Sequence, residues 1–321
     1  MIWLTWRQHR AETLVAVGVL AVVAAALVTL GLPMHAAFNN EILPCLGGGA
    51  DPEVCSTNMQ LFQKDYGGIA GVMPLFSAVP FVVGAFLGAP LLARELETGT
   101  WQFAWTQAVP RMRWLTVKLV ALATATVALT AAIAALVTWF RGPLDQIYGR
   151  FDAASFDIEG LVPMAYALFA FAGGAAAGGL LRRSIPALSA ILVAFVAIRI
   201  TVETVLRPAY RSPITLVENI DPTQHGIAIG TGNLADWTLG QGLTQAGHRL
   251  GPDAYNAFAD AADAARVPTA AYMYDHGVQR WVDYHPAVRF WTFQYIEAAI
   301  FVGLSAILLA VVIWRVRQRS V

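Results

Sequence analysis

The stretch GVMPLFSAVPFVVGAFLGAPLLA, residues 71–93, runs directly into RELETGTW, residues 94–101. The first part carries no charge and is long enough to cross about 30 Å of hydrocarbon, which takes roughly 20 residues. The second part places one arginine and two glutamates within four positions, and the chain becomes apolar again soon afterwards. A charged turn between two apolar segments indicates a membrane protein that exposes this turn outside the lipid.

The composition supports this fold class. The 321 residues are 57% hydrophobic and 13% charged, with a mean hydropathy of +0.56, whereas soluble proteins carry roughly 25% charged residues. Six apolar runs can span a bilayer, at about 13–31, 69–92, 115–140, 161–181, 185–206 and 287–314. The first exceeds the apolar core of a signal peptide and precedes no clear A-x-A site. We therefore predict an all-α integral membrane protein with one transmembrane domain of six helices over 1–321.

The distribution of charge predicts the orientation. One side of the membrane has eleven lysines and arginines against three acids, in segments 1–12, 93–114, 182–184 and 315–321 and at position 118. The other side has nine against sixteen, in segments 32–68, 141–160 and 207–289. Short basic segments stay on the cytoplasmic side. Both termini and the RELETGTW turn are therefore predicted to be cytoplasmic.

The first ten residues, MIWLTWRQHR, combine apolar, aromatic and basic side chains. This pattern predicts a short amphipathic helix in the inner membrane interface, with its tryptophans at headgroup depth. An ordinary aromatic and basic anchor of the first span explains the pattern equally well.

Two segments are expected outside the membrane on the opposite face. Segment 32–68 contains Cys45 and Cys55, the two cysteines of the chain, and an oxidising compartment favours a disulfide between them. A metal site would need more ligands than the neighbouring His35. Segment 207–286 is acidic and has apolar residues at helical spacing near 255–265, so we expect helix there and a cap on the outer face.

Glycines repeat at four-residue spacing in two spans. Gly84-x-x-x-Gly88 and Gly174-x-x-x-Gly178 allow helices to approach closely. We expect packing within one chain, with a seam between two copies as the alternative.

Motifs of catalysis are missing from the sequence. It contains no G-x-x-x-x-G-K-[ST], H-E-x-x-H or G-x-S-x-G, and its six histidines lack metal-ligand spacing. We therefore expect no enzymatic activity, no metal site, no cofactor and no nucleic-acid partner.

The segment RELETGTWQFAWTQAVPRMRWLTVKL, residues 94–119, resembles the loop between the second and third spans of type 2 permease subunits of ATP-binding cassette (ABC) exporters. That loop has an R-E-x-E-x-G-T pattern, an apolar stretch, a Pro-x-x-Arg and a lysine seven residues later. The matching residues are Arg94, Glu95, Glu97, Gly99, Thr100, Arg111 and Lys118. The sequence departs from the pattern at Ala108, where the proline is shifted to Pro110, and at Val117, where glycine is common.

The resemblance implies a function. Such permeases lie in the bacterial plasma membrane and pair with a second, identical or related permease and with two P-loop ATPase subunits, which bind ATP and Mg. The turn after the second span is a coupling helix seated on the ATPase. The N-terminal segment and this turn are similar to actinobacterial members. The sequence itself does not name the substrate, and its apolar helix faces suit an amphipathic one: a drug, a lipid or a lipopeptide.

Three alternatives remain open at this point. The turn could be a solvated charged loop that only separates two spans. The chain could be a self-contained secondary transporter, although it shows no repeat and no matching pair of broken helices. It could also be a membrane enzyme that uses its outer loop, although no nucleophile and base or metal constellation is present.

Charged residues are also predicted inside the lipid. Arg199 and Glu203 lie four residues apart on the fifth span, and Glu297 lies on the sixth. Buried charges in a bilayer need partners or a wet cavity. One hypothesis joins all three in a network at the outer end of the substrate path. The other pairs Arg199 with Glu203 along their own helix and leaves Glu297 wetted near the surface.

Overall fold

The computed structural model describes residues 2–46, 51–98, 111–151, 153–223, 231, 233 and 235–318. The chain forms two compact units. The first unit comprises Met1–Leu144, Ala153–Val202 and Trp291–Val321. The second unit comprises Asp145–Asp152 and Glu203–Phe290.

The described helices and strands follow one another in this order: α1 Ile2–Ala37, α2 Leu43–Leu46, α3 Pro52–Val72, α4 Val79–Thr98, α5 Arg111–Tyr148, α6 Ala153–Phe156, α7 Val162–Leu181, α8 Ser184–Thr201, β1 Ile214–Asn219, β2 Trp237–Gln245, β3 His248–Arg249, α9 Ala254–Ala265, α10 Thr269–Asp275, β4 Val278–His285 and α11 Phe290–Gln318. Short π-helical turns follow α1 and α8, and a 3-10 turn joins α3 to α4.

Six helical segments among the described residues are long and apolar enough to cross a membrane. They are Leu20–Leu46, Pro52–Arg94, Met112–Tyr148, Val162–Leu181, Ser184–Ala209 and Ala287–Gln318. Each overlaps one of the six predicted spans, in the same order. The predicted helical membrane fold is therefore confirmed.

The N-terminal segment differs from the prediction in one respect. Residues 2–37 form one continuous helix, α1, instead of a separate interfacial helix followed by a span. The reason lies in the sequence, because the first glycine is Gly18 and the first proline is Pro33, so nothing breaks the helix earlier.

Segment 32–68, on the predicted outer side, is also helical over most of its described residues. The π-helical turn Phe38–Ile42, α2 and most of α3 occupy its described part. Cys45 and Cys55 form the predicted disulfide, with their Cα atoms 5.5 Å apart, and so join α2 to α3.

Helices α4 and α7 touch through their backbones at the predicted glycines. A Cβ atom at Gly84 would lie 2.1 Å from the carbonyl oxygen of Ala167, and one at Gly88 would lie 2.2 Å from that of Phe171. From the other side, a Cβ atom at Gly178 would lie 2.5 Å from the carbonyl oxygen of Ala89. The prediction that these motifs pack helices within one chain is confirmed.

A hydrophobic cluster joins this pair to two further helices. Leu91 of α4, Leu115 of α5, Phe171 of α7 and Val312 of α11 are buried in it together. Apolar packing therefore joins α5 and α11 to the α4–α7 pair within the first unit, which we call the membrane unit.

The second unit contains a sheet that we did not predict. Its four antiparallel strands lie in the order β1-β4-β2-β3. The predicted helix near 255–265 is present as α9, and Met273 and Ala270 of α10 pack on Val278 and Leu243 of the sheet. The strand signal was weak because glycines interrupt β2 at Gly240 and Gly242, and β4 is rich in polar side chains.

Candidate functional site

The proposed coupling motif begins in the last turn of α4. Arg94 and Glu97 are exposed there, and Glu95 belongs to the same helix. Gly99 and Thr100 lie outside the described residues, as do the side chain of Glu95 and the expected coupling helix. The structure therefore shows how the motif starts but gives no geometry for its turn.

The motif resumes in α5. This helix begins at Arg111, whose side chain also lies outside the described part of the chain. Lys118 follows two turns later and is buried, with 6% of its surface exposed. Its ammonium nitrogen lies 5.1 Å from the centre of the Trp114 ring, a cation–π contact. Lys118 therefore faces the inside of the membrane unit.

Glu97 makes a contact that sequence reasoning missed. One oxygen of its carboxylate, Oε1, accepts a hydrogen bond from the backbone N–H of Ser184 (3.1 Å), and Oε2 accepts one from Ser184 Oγ (3.0 Å). Ser184 is the first residue of α8, and the N-cap Arg183 supplies no side-chain cap. The glutamate thus caps α8 from another helix, and its negative charge is favoured at the positive end of the helix dipole.

An apolar cavity of about 560 Å³ lies between α5, α7, α8 and α11, with a short contribution from the end of α4. Its wall includes Trp114, Phe169, Ile191 and Leu308. Arg315 is the one charged side chain among the described residues that line it. A cavity of this kind is large enough for a drug-sized or lipid-tail ligand.

A cluster of buried polar side chains lies near the end of α8 that is opposite Ser184. Arg141 donates a hydrogen bond from Nε to Glu159 Oε1 (2.7 Å) and another from Nη2 to Ser155. Both partners of this ion pair are almost fully buried. A buried ion pair is stable in a low dielectric only when the two charges lie close together and their remaining hydrogen-bonding groups are satisfied.

The cluster continues towards α8 and α11. Arg199 forms an ion pair with Asp157, and its guanidinium carbon lies 4.8 Å from the centre of the Tyr166 ring. The Tyr166 hydroxyl lies 3.1 Å from Asp157 Oδ1 and also contacts Glu297 Oε1. Glu297 itself is fully buried. The side chains of Asp157 and Tyr166 therefore connect α8 to α11.

Two of the three predicted intramembrane charges are thus brought into one cluster. Arg199 and Glu297 are joined through Asp157 and Tyr166, neither of which the sequence singled out. Glu203 belongs to the second unit, in the π-helical turn Val202–Leu206.

Gln294 is a further residue that sequence reasoning missed. Its Oε1 accepts hydrogen bonds from the backbone N–H groups of Leu161 (2.9 Å) and Val162 (3.0 Å), and its Nε2 donates one to Phe156 O (2.9 Å). These bonds satisfy the first N–H groups of α7, whose N-cap Leu161 offers no side-chain cap. Gln294 therefore fixes α11 to the start of α7.

The second unit has its own polar contacts. Arg249 holds Asp283 through two hydrogen bonds of 2.8 and 2.9 Å, and these bonds lower the pKa of the carboxyl despite an opposing effect of burial. His285 is fully buried, and burial lowers its pKa. Its Nε2 lies 3.1 Å from Pro208 O, and Arg289 donates to its Nδ1 (3.1 Å).

Residues 17–207 match the model of a protein family described as ABC-2 membrane transporter related. This range is more than half of the 321-residue chain. The chain belongs to the ABC-2 membrane transporter related family. As a family member with six apolar helices, it is a multi-pass membrane protein and a transmembrane component of a transporter. No curated protein and no solved structure matches the chain.

The ABC-2 match covers the residues that first suggested a permease. It includes the segment from Arg94 to Lys118, the capped start of α8 and Arg199, and it ends before Gln294 and Glu297. The resemblance seen in the sequence is confirmed at the level of the family.

Proposed function

We propose that this chain is the permease of an ABC exporter in the bacterial plasma membrane, with both termini in the cytoplasm. It forms the substrate path together with a second permease, the same chain or a related one. Two separate P-loop ATPase subunits bind ATP and Mg and hydrolyse the nucleotide. The 321 residues contain no Walker A sequence of their own, in keeping with this division of labour.

One observation carries the proposal. The Arg94–Thr100 motif follows the second of six membrane helices in a chain of the ABC-2 related family, and its first residues occupy the exposed end of α4. This is the place where the motif acts as a coupling helix in the permeases that the sequence resembles. Glu95, Glu97 and Arg94 offer the charged groups that an ATPase surface would bind.

The contact between Glu97 and Ser184 supplies a route for the signal. A displacement of the turn after α4 acts on the start of α8 through two hydrogen bonds. At its far end, α8 carries Arg199, which is bound to Asp157. We propose that the cluster around Arg199 and Glu297 holds the last two membrane helices together at the outer end of the substrate path.

Copurification tests the function. The tagged chain, expressed in its native host and extracted in a gentle detergent, is expected to co-elute with a P-loop ATPase and to show ligand-stimulated ATP hydrolysis after reconstitution. Glu97→Arg should reduce recovery of the ATPase, whereas Glu53→Arg, a reversal of an exposed acid on the predicted outer side, should not. A wild-type chain that transports an amphiphile without any ATPase would overturn the proposal in favour of a secondary transporter.

A further inference from the structure

The apolar cavity of the membrane unit ends in a basic rim. Its wall extends along α11 from Leu304 to Val316, a distance of about 18 Å at 1.5 Å per residue. Arg315 lies at the same end of α11 as Val316 and is exposed. The cavity thus has an apolar body and one charged end.

Further positive charge follows the cavity wall along the chain at the end of α7. Leu180 lines the cavity, and the next turn of the chain contains Arg182 and Arg183, both exposed. Within the part of the chain that the structure describes, Arg182, Arg183 and Arg315 form no ion pair. Glu97, an acid near this turn, is engaged with Ser184.

We propose that this cavity binds an anionic amphiphile from the cytoplasmic leaflet, with its apolar tail among α5, α7, α8 and α11 and its anionic head at Arg315 and the Arg182–Arg183 turn. The chemistry follows from the two ends. A hydrocarbon tail can pack against the apolar wall through dispersion contacts, and each arginine near a membrane surface attracts a negative headgroup. A cationic amphiphile would meet like charge at the rim and a polar solute would meet an apolar wall.

The site also suggests the substrate class of the exporter. The inference that such an amphiphile is the transported substrate rests on the proposed function. The inference that it binds to the purified chain does not. Two walls of the cavity, α7 and α8, are joined by the Arg182–Arg183 turn, and the residue after this turn, Ser184, is bound by Glu97. Movement of the coupling turn would therefore change the shape of the occupied cavity.

Native mass spectrometry of the purified permease, without ATPase, tests the site. The probes are phosphatidic acid and phosphatidylcholine with identical tails. The wild-type chain is expected to retain phosphatidic acid about fivefold better, since one favourable headgroup contact contributes about 1 kcal/mol. Arg315→Gln should reduce this preference to what the Arg182–Arg183 turn alone supports. Arg317→Gln is the matched control in the same helical turn, because Arg317 does not line the cavity, and it should leave the preference unchanged.

A second pair of variants tests the tail site. Ala194→Trp fills the cavity from α8 and should remove binding of both lipids, while Val193→Trp, one residue away and outside the cavity wall, should not. Gel filtration and thermal unfolding confirm folding of each variant. Equal retention of the two lipids by the wild-type chain, or retention by Ala194→Trp equal to that of Val193→Trp, would overturn the proposal. If the chain binds the lipid specifically but recruits no ATPase, the proposed binding site is supported and the proposed exporter function is refuted.

Discussion

The carboxylate of Glu97, at the end of α4, accepts both the backbone and the side-chain hydrogen bonds of Ser184, the first residue of α8. One residue of the proposed coupling motif therefore has a partner within its own chain. A helix cap of this kind contributes about 1 kcal/mol. The motif can thus act on α8 as well as on an ATPase.

Substitutions at Glu97 separate these two roles. Glu97→Gln keeps an oxygen that can accept the Ser184 bonds but removes the charge, whereas Glu97→Arg places a positive charge at the positive end of α8. We expect Glu97→Arg to insert normally and to abolish transport and ligand-stimulated ATP hydrolysis. Glu97→Gln should lose binding of the ATPase if the charge is the contact, and should keep it if the cap alone matters. Unchanged transport by a well-expressed Glu97→Arg variant would refute any coupling role.

The ion pair between Arg199 and Asp157 should be costly to break from either side. Both side chains are largely buried, so Arg199→Leu alone leaves an uncompensated carboxylate and should destabilise the membrane unit by about 3–5 kcal/mol. The double variant Arg199→Leu, Asp157→Leu should recover most of the loss. Thermal unfolding in detergent measures both. A double variant as unstable as the single one would show that the pair acts only as part of the larger cluster.

Variants of Glu297 test the connection between α8 and α11. Glu297→Gln keeps a hydrogen-bonding group next to Tyr166 but removes the charge, and we expect impaired transport because the cluster joins α8 to α11. The exchange Arg199→Glu, Glu297→Arg should not restore transport, because it would place a second carboxylate beside the buried Asp157. Full activity of Glu297→Gln would show that the charge of Glu297 is not needed in the cluster that is proposed to hold α8 and α11 together.

The glycines between α4 and α7 should tolerate no side chain. At Gly88 a methyl group would lie 2.2 Å from a backbone oxygen, which cannot move without shifting α7. We expect Gly88→Ala to destabilise the protein by about 1–3 kcal/mol despite the better helix propensity of alanine. Gly303→Ala, also in a membrane helix but with nothing within 4 Å, should be neutral or slightly stabilising. Equal melting temperatures of the two variants would contradict the close contact.

Acid should lower the stability of the second unit because of His285. Burial lowers the pKa of this imidazole below its usual 6.5, so the unfolded chain takes up a proton that the folded unit resists. The free energy of unfolding should therefore fall as the pH drops through about 6.5. Hydrogen exchange of β4 amides between pH 7.5 and 5.5 should show this loss, and His285→Gln should reduce it. His248→Gln, at an exposed site, serves as the control.

The sequence predicted the features that depend on local pattern. Hydropathy located the six spans, the four-residue glycine spacing predicted close packing of α4 and of α7 within the chain, and the two cysteines predicted the disulfide. Each signal is contained in a short stretch of chain and needs no knowledge of distant partners.

The contacts that depend on distant partners were not predictable. Gln294 bonds to residues more than 130 positions away, and Asp157 lies 42 positions from Arg199. A single polar side chain in an apolar helix shows that a partner is needed, but the register of two packed helices decides which residue supplies it. The sheet of the second unit was missed for a related reason, since its strands pair across loops and carry many polar residues.

Backbone contact between α4 and α7 also determines how these helices can slide. Side chains that interdigitate can change rotamer and let one helix shear past another, but the carbonyl oxygens of Ala167 and Phe171 rest against Gly84 and Gly88 with no such layer between them. A shift of one residue along the axis, about 1.5 Å, would bring neighbouring side chains into those carbonyls. We therefore expect the two helices to move together, so that a displacement of Arg94 at the end of α4 also displaces α7.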